Sequence, residues 1–191
     1  MANWAFTSYA IEGPKETLLK IEDAILHPTQ PEGADEGWEG GILNTLGLTY
    51  EERGPGGTGK YMRGFVRNEV SWCDDDRVIR FDAEEAWGIT DFYEVLEENF
   101  PDIKVYWTTE ESGCEVYATN DKEGKYFSDR VCVDTCIDDN YQMDYFTSEK
   151  DAYAWLSKIT DGKITNKEQA EAFNKEDHGD DFISVHLYEI V

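Results

Sequence analysis

Basic side chains are scarce in this chain. Lysine and arginine number 17 against 42 aspartates and glutamates, which leaves a net charge of −25. Proteins that grip a phosphate backbone draw their affinity from Lys and Arg, so direct nucleic-acid binding is not expected. An anionic membrane surface is disfavoured on the same ground. Cysteine is sparse as well. Cys73, Cys114, Cys132 and Cys136 in 191 residues do not make a disulfide scaffold, and a reducing cytoplasm is the expected compartment. No run approaches the ~20 apolar residues of a membrane-spanning helix. The first residues, MANWAFTSYAIEG, lack a basic region and a long apolar core, so no signal peptide is expected. Cys132 and Cys136 stand three residues apart with no second close pair, which matches neither an iron–sulfur run nor a zinc site. No cofactor and no metal are therefore expected.

What is present is enough to fold. Hydrophobic residues make up 40% and aromatics 14% of the chain, more than a disordered segment carries. The stretch from Val78 to Asn120 is the most legible. Ile79, Phe81 and Ala83 alternate with Arg80, Asp82 and Glu84, the period of a half-buried strand. Thr90 offers a hydroxyl to a helix start, and Asp91 places negative charge in the first turn. Phe92, Val95, Leu96 and Phe100 form one apolar face of that helix. Pro101 ends it. Ile103, Val105 and Trp107 alternate again, and Cys114, Val116 and Ala118 follow a turn at 111–113.

Elsewhere, Trp4 to Ile11 reads as a central strand with large side chains on both faces. Pro14 suits a helix start. Leu18, Ile21 and Ile25 give that helix its buried face, and it ends near His27. Residues 28–60 are punctuated by glycine and proline, with a short helix expected over Gly41–Leu48 and a loop over Gly54–Gly59. Tyr61 to Cys73 reads as a strand bent at Gly64, joined to the Val78 strand through Asp74-Asp75-Asp76. Strands over Cys114–Asn120 and Tyr126–Asp134 follow, linked by a turn at 121–124. Ser148 opens a helix bearing Ala152, Trp155, Leu156 and Ile159. Thr165 and Glu168 have capping-box spacing for another. Phe182 to Val191 closes as a strand. The expected fold is α+β, a ferredoxin-like split βαβ sandwich (β-α-β-β-α-β) with extra strands. Its main domain is expected over residues 1–140, with an α+β C-terminal extension over 141–191 packed on it.

The pieces Asn3-Trp4, Ile11-Glu12-Gly13, Ile79 to Trp87 and Phe100-Pro101-Asp102-Ile103 through Tyr117 resemble the YubB-type ferredoxin-like domain family of plasmids, phages and related mobile elements. The resemblance covers roughly residues 1–120. Ala5 stands where the family often has Cys, and Gly88-Ile89-Thr90 where it often has Ser-Pro-Pro. The resemblance implies the fold and a mobile-element setting. It implies no activity.

Several patterns carry candidate chemistry. Gly54-Pro-Gly-Gly-Thr-Gly59-Lys60 has the spacing of a phosphate-cradling loop, but Tyr61 takes the place of the magnesium-binding Ser or Thr and no helix follows. His27, His178 and His186 stand beside no recognisable nucleophile. Asp74–Asp76 and Asp177–Asp181 are acid clusters without the EF-hand template, and both read as turns. Glu84 and Glu85 beside Trp87, with Asp82 near, could flank a sugar-stacking platform. The binding residues expected on this basis are Trp87, Glu84, Glu85, Trp107 and Tyr117.

The charge itself supports mimicry of DNA. Surface scaling gives ~9,000 Å² and so one net charge per ~370 Å², against one per ~100 Å² on a DNA cylinder. Mimicry therefore requires the acids to gather on one face. The expected function is that of an acidic binding protein acting through a macromolecular partner, with a basic protein favoured. The alternative is an enzyme with an acidic, aromatic-lined cleft around Trp87, Trp107 and Tyr117. A third reading is a nucleic-acid binder using exposed strand aromatics, which the charge opposes.

Overall fold

A computed structural model describes residues 3–29, 37–53, 57–67, 69–176 and 178–191. The chain is α+β, with mostly antiparallel sheets. It divides into two compact units, Met1–Asn120 and Asp121–Val191. The boundary thus falls at 120/121 and not at 140/141. Two local facts move it. Asp121 folds its carboxylate back onto the amides of Lys125, Tyr126 and Phe127, at 3.0, 2.6 and 2.9 Å. The strand Val131–Ile137 then pairs with Asn140–Phe146 and Phe182–Leu187, so it belongs to a separate sheet from the Val116–Thr119 strand.

In the first unit, β1 (Trp4–Glu12) lies at the centre. Helix α1 (Lys15–Leu26) follows Pro14, and α2 (Glu39–Thr45) follows Trp38. The strand expected over Tyr61–Cys73 is split into β2 (Gly64–Val66) and β3 (Ser71–Cys73), both paired with β4 (Val78–Ala86). Helix α3 (Phe92–Asn99) leads to β5 (Lys104–Glu111), which turns through Ser112–Cys114 into β6 (Val116–Thr119). The path across these strands is β6-β5-β1-β4-β2, with β3 also on β4. Both β4 and β5 run antiparallel to β1, so they run in the same direction with β1 between them.

Pleating then sorts the side chains. Antiparallel partners share a face, so Tyr9, Phe81 and Trp107 point one way, and Ser8, Asp82 and Thr108 the other. The first set packs under α1 and α3, where Leu18, Ile21, Ile25, Phe92, Val95 and Leu96 complete one core. Tyr9 stacks on Phe81 at 5.0 Å between ring centres, and Phe92 meets both rings edge-on. Trp4 and Phe6 lie exposed on the opposite face. Asp91 takes the cap position of α3, while the Thr90 hydroxyl accepts from the Phe92 amide at 3.3 Å. Asp74, Asp75 and Asp76 all adopt positive φ, a conformation that Asp tolerates better than most residues.

The second unit pairs β7 (Val131–Ile137) with β8 (Asn140–Phe146) on one side and β9 (Phe182–Leu187) on the other. Asp138 and Asp139, both at positive φ, form the two-residue turn between β7 and β8. Helices α4 (Glu149–Ile159) and α5 (Lys167–Phe173) bury Ala152, Leu156 and Ala170 against Val131, Val133 and Ile183. Ser148 caps α4 as its position implies. The cap of α5 is Asn166 and not Thr165: its side chain accepts from the Gln169 amide at 3.0 Å, and Gln169 reaches back to the Thr165 amide at 2.7 Å.

This packing makes a direct prediction. Leu96→Ala removes a fully buried side chain and should cost about 2–5 kcal/mol, whereas Leu19→Ala on the exposed side of α1 should stay within about 0.5 kcal/mol. Urea unfolding followed by tryptophan fluorescence measures both.

Candidate functional site

The five residues singled out by the sequence do not share one surface. Period-two pleating in β4 sends Glu84 to the open face and Glu85 to the helix-covered face. Glu84 pairs there with Arg67 at 3.0 Å. Trp87 follows the strand at φ 59°, 53% exposed, with the Arg63 guanidinium 5.0 Å above its ring. Trp107 is sealed in the core beside Tyr93. Tyr117 is buried, and its hydroxyl lies 3.3 Å from that of Ser112. An acidic cleft lined by Trp87, Trp107 and Tyr117 is therefore not what the chain builds.

It builds a different acid pair. Glu85 meets Glu39, which the first turn of α2 delivers from the middle of the run GWEGGIL. The Thr90 hydroxyl sits between them, 2.8 Å from Glu85 Oε1 and 2.9 Å from Glu39 Oε2. Glu85 also accepts from the Tyr9 hydroxyl at 2.6 Å, the Thr90 amide at 3.3 Å and the Thr7 hydroxyl. Thr7 in turn lies 2.8 Å from Thr109. One hydroxyl donates only one proton. Thr90 can therefore donate to Glu85 or to Glu39 but not to both at once. Burial, and then the nearness of Glu85, push the Glu39 carboxyl well above the ordinary range. Burial likewise raises the Tyr9 phenol.

Two like-charged carboxyls at this range cannot both ionise, a condition that proteins also exploit for acid–base catalysis. Catalysis needs access, however, and both glutamates are fully buried. This pair acts as a clamp. It ties α2 and the start of α3 to the central strands, and Glu39 packs so closely on Gly64 that a Cβ there would overlap its carboxyl. Glu39 lies in the poorly patterned region 28–60. Its one sequence signal is an acid set inside an apolar, glycine-flanked run.

An open cleft of about 570 Å³ lies nearby in the first unit, lined by Tyr50, Arg53, Gly59, Lys60, Asp91, Glu94 and Glu98 among others. It contains the lysine of the phosphate-loop pattern. Lys60 lies 2.8 Å from Glu94 and 2.7 Å from Glu98. Burial opposes its charge, but these two partners outweigh it and raise the ammonium pKa. The Tyr61 amide donates to Asp91 at 2.5 Å, and the chain continues as strand β2. Residues 54–56 of that pattern lie outside the described residues. A lysine held by two carboxylates and followed by a strand is not a phosphate cradle.

The second unit presents the remaining surface of interest. On the side of its sheet away from α4 and α5, Asp134 has Met143 and Ser184 as lateral neighbours, Cys136 has Tyr141 and Phe182, and Cys132 has Tyr145 and His186. Tyr141, Met143 and Tyr145 are 57, 41 and 39% exposed. Asp134 is the one acid of this nine-residue face. Burial and then nearby Asp134 raise the Tyr141 phenol, while Asp134 Oδ1 is buried with no hydrogen-bond partner among the described residues. Beside this face, burial and then Asp181, Asp139 and Asp180 push the Cys136 thiol up. Among the described residues, no group of three or more His, Cys, Asp or Glu is placed to hold a metal, and no helix is long and apolar enough to cross a membrane. Comparison with family models, with curated proteins and with solved structures gives no match.

The buried pair generates two predictions. A carboxyl whose pKa is raised by folding stabilises the fold at acid pH, and that contribution fades as pH rises from the ordinary carboxylate range through the raised value. The melting temperature should therefore fall as pH rises over that window, and Glu39→Gln, which keeps the shape without a proton to lose, should flatten the profile in calorimetry. Gly64→Ala should force the Glu39 carboxyl aside and cost about 1–3 kcal/mol in chemical unfolding.

Proposed function

We propose that this chain is an acidic binding protein whose partner is a basic macromolecule, and that it acts by contact and not by catalysis. One observation carries the reading. Residues 131–149 and 176–191, which supply the three strands of the second unit's sheet, contain ten acids and no Lys or Arg. The eight basic residues of that unit all fall within 122–130 and 150–175, the linker and the helices. Along the chain, negative charge is thus uneven, and the stretches that form this sheet and its turns carry it without Lys or Arg, a composition suited to cations. The first unit shows the contrast: its Arg53, Lys60 and Arg67 are each matched to carboxylates across the surface.

A DNA-binding protein, with its groove lined by Lys and Arg, is one class of partner that fits, and DNA mimicry is the sharper form of the proposal. The enzyme alternative loses its natural centre, because the glutamates that share a site are closed to substrate. We further read the first unit as ferredoxin-like. Support comes from the path β5-β1-β4-β2, the crossovers through α1 and α3, and both helices lying on one face. A place among YubB-type domains rests on the Asn3-Trp4 start and the Phe100-Pro101-Asp102 helix end. The number and spacing of cysteines favour a reducing compartment such as the cytoplasm.

The test is titration of the intact chain with fluorescently labelled oligolysine and oligoglutamate peptides. Oligolysine should bind, and its affinity should fall as salt rises. Absence of oligolysine binding at low salt, or equal binding of both peptides, would overturn the reading.

A further inference from the structure

We infer that the helix-free face of the second unit is a seat for a lysine or arginine side chain of an extended basic peptide, with Asp134 as counter-ion and Tyr141, Met143 and Tyr145 as its walls. The inference rests on the basic-partner reading above and specifies where and how the partner is held.

Side chains on neighbouring antiparallel strands stand about 5 Å apart. Met143 and Asp134 are such neighbours, and Tyr141 and Tyr145 flank Met143 at period two along β8. One carboxylate is therefore ringed by two phenol rings and a thioether, all three open to solvent. Aromatic faces attract ammonium and guanidinium groups electrostatically. An unpaired carboxylate oxygen in an apolar ring is costly unless a cation or donor satisfies it. Asp134 is partly exposed although its Oδ1 is buried, so a cation reaches it from the solvent side, and no Lys or Arg occurs on β7, β8 or β9 to do so. The charge around the seat also selects its occupant. Asp139, Asp180 and Asp181 act on neighbouring Cys136, so a peptide crossing the face passes from Asp134 toward further carboxylates. Acidic or neutral peptides gain nothing there.

The mode of docking follows from β8. This strand lies at the sheet edge, where unpaired amides invite another strand. Asp144 accepts from the Tyr145 amide at 2.9 Å and blunts that edge. The peptide is thus expected to lie across the face, reading side chains, and not to extend the sheet through its backbone.

The experiment uses the intact chain and labelled oligolysine, with fully acetylated oligolysine as the uncharged control. Asp134→Asn, and Tyr141→Ser combined with Met143→Ser, should each weaken oligolysine about tenfold. Asp161→Asn, an equal charge change in the turn after α4, should alter it less than about twofold. Amide shifts in an NMR titration should concentrate in residues 131–146 and 182–187. Melting curves establish that each variant is folded. Should Asp134→Asn unfold, the Tyr141→Ser with Met143→Ser chain carries the test. Equal losses in all variants, or shifts confined to other residues, would overturn this seat while leaving the basic-partner reading standing. Failure of oligolysine to bind the unaltered chain would overturn both. Tight binding of acetylated oligolysine or of single-stranded RNA at this face would also overturn it, since neither presents the required cation.

Discussion

Pairing of β1 with β4 on one flank and β5 on the other is the constraint from which the first unit follows. Nine consecutive residues of β1 are matched with β4 and seven with β5. Once that register is set, the pleat assigns each side chain to a face, and a shift by one residue would turn Tyr9, Ile11 and Phe81 into water. The helices then have one place to go. Their apolar stripes cover Tyr9, Phe81, Val105 and Trp107, and the opposite face keeps Trp4, Phe6 and Glu84. The same parity separates Glu84 from Glu85, so two adjacent acids acquire unrelated lives.

Glu85 shows what the inward position costs and how the cost is met. A carboxylate in the core is unfavourable unless its oxygens are filled with donors. Tyr9, Thr7 and Thr90 fill them, and they come from β1 and the entrance to α3. Glu39 joins them with its carboxyl pKa pushed well up by burial. A buried polar network of this kind contributes less net stability than apolar packing would, but it fixes which elements meet. Here it holds α2, a short helix with little apolar surface of its own, against the sheet.

Much of this was legible in the sequence and some was not, for identifiable reasons. Helices α1, α3 and α4 announced themselves through apolar spacing, and β1, β4 and β5 through alternation. Strand β8 was passed over because its apolar residues, Tyr141, Met143 and Tyr145, point away from the helices, so alternation there marks an open face and not a core. The α5 cap shifted by one residue because Thr165, Asn166 and Gln169 offer two overlapping capping patterns. Trp107 and Tyr117 looked like cleft aromatics, yet position along a strand says which face a residue takes and not what covers that face. Glu39 was missed because its partner lies far along the chain.

By itself, the sequence determined composition, net charge and local periodicity. These are properties of neighbours along the chain, and they are enough to choose helix or strand and to leave the strands of the second unit's sheet without Lys or Arg. Tertiary structure decided which carboxyls meet. Glu39 lies beside Glu85, and Asp134 lies between Met143 and Ser184, because strand register and helix packing bring together residues that no spacing rule connects. Desolvation and the repulsion of neighbouring carboxyls depend on distances of a few ångströms and on burial, and only the folded chain sets those.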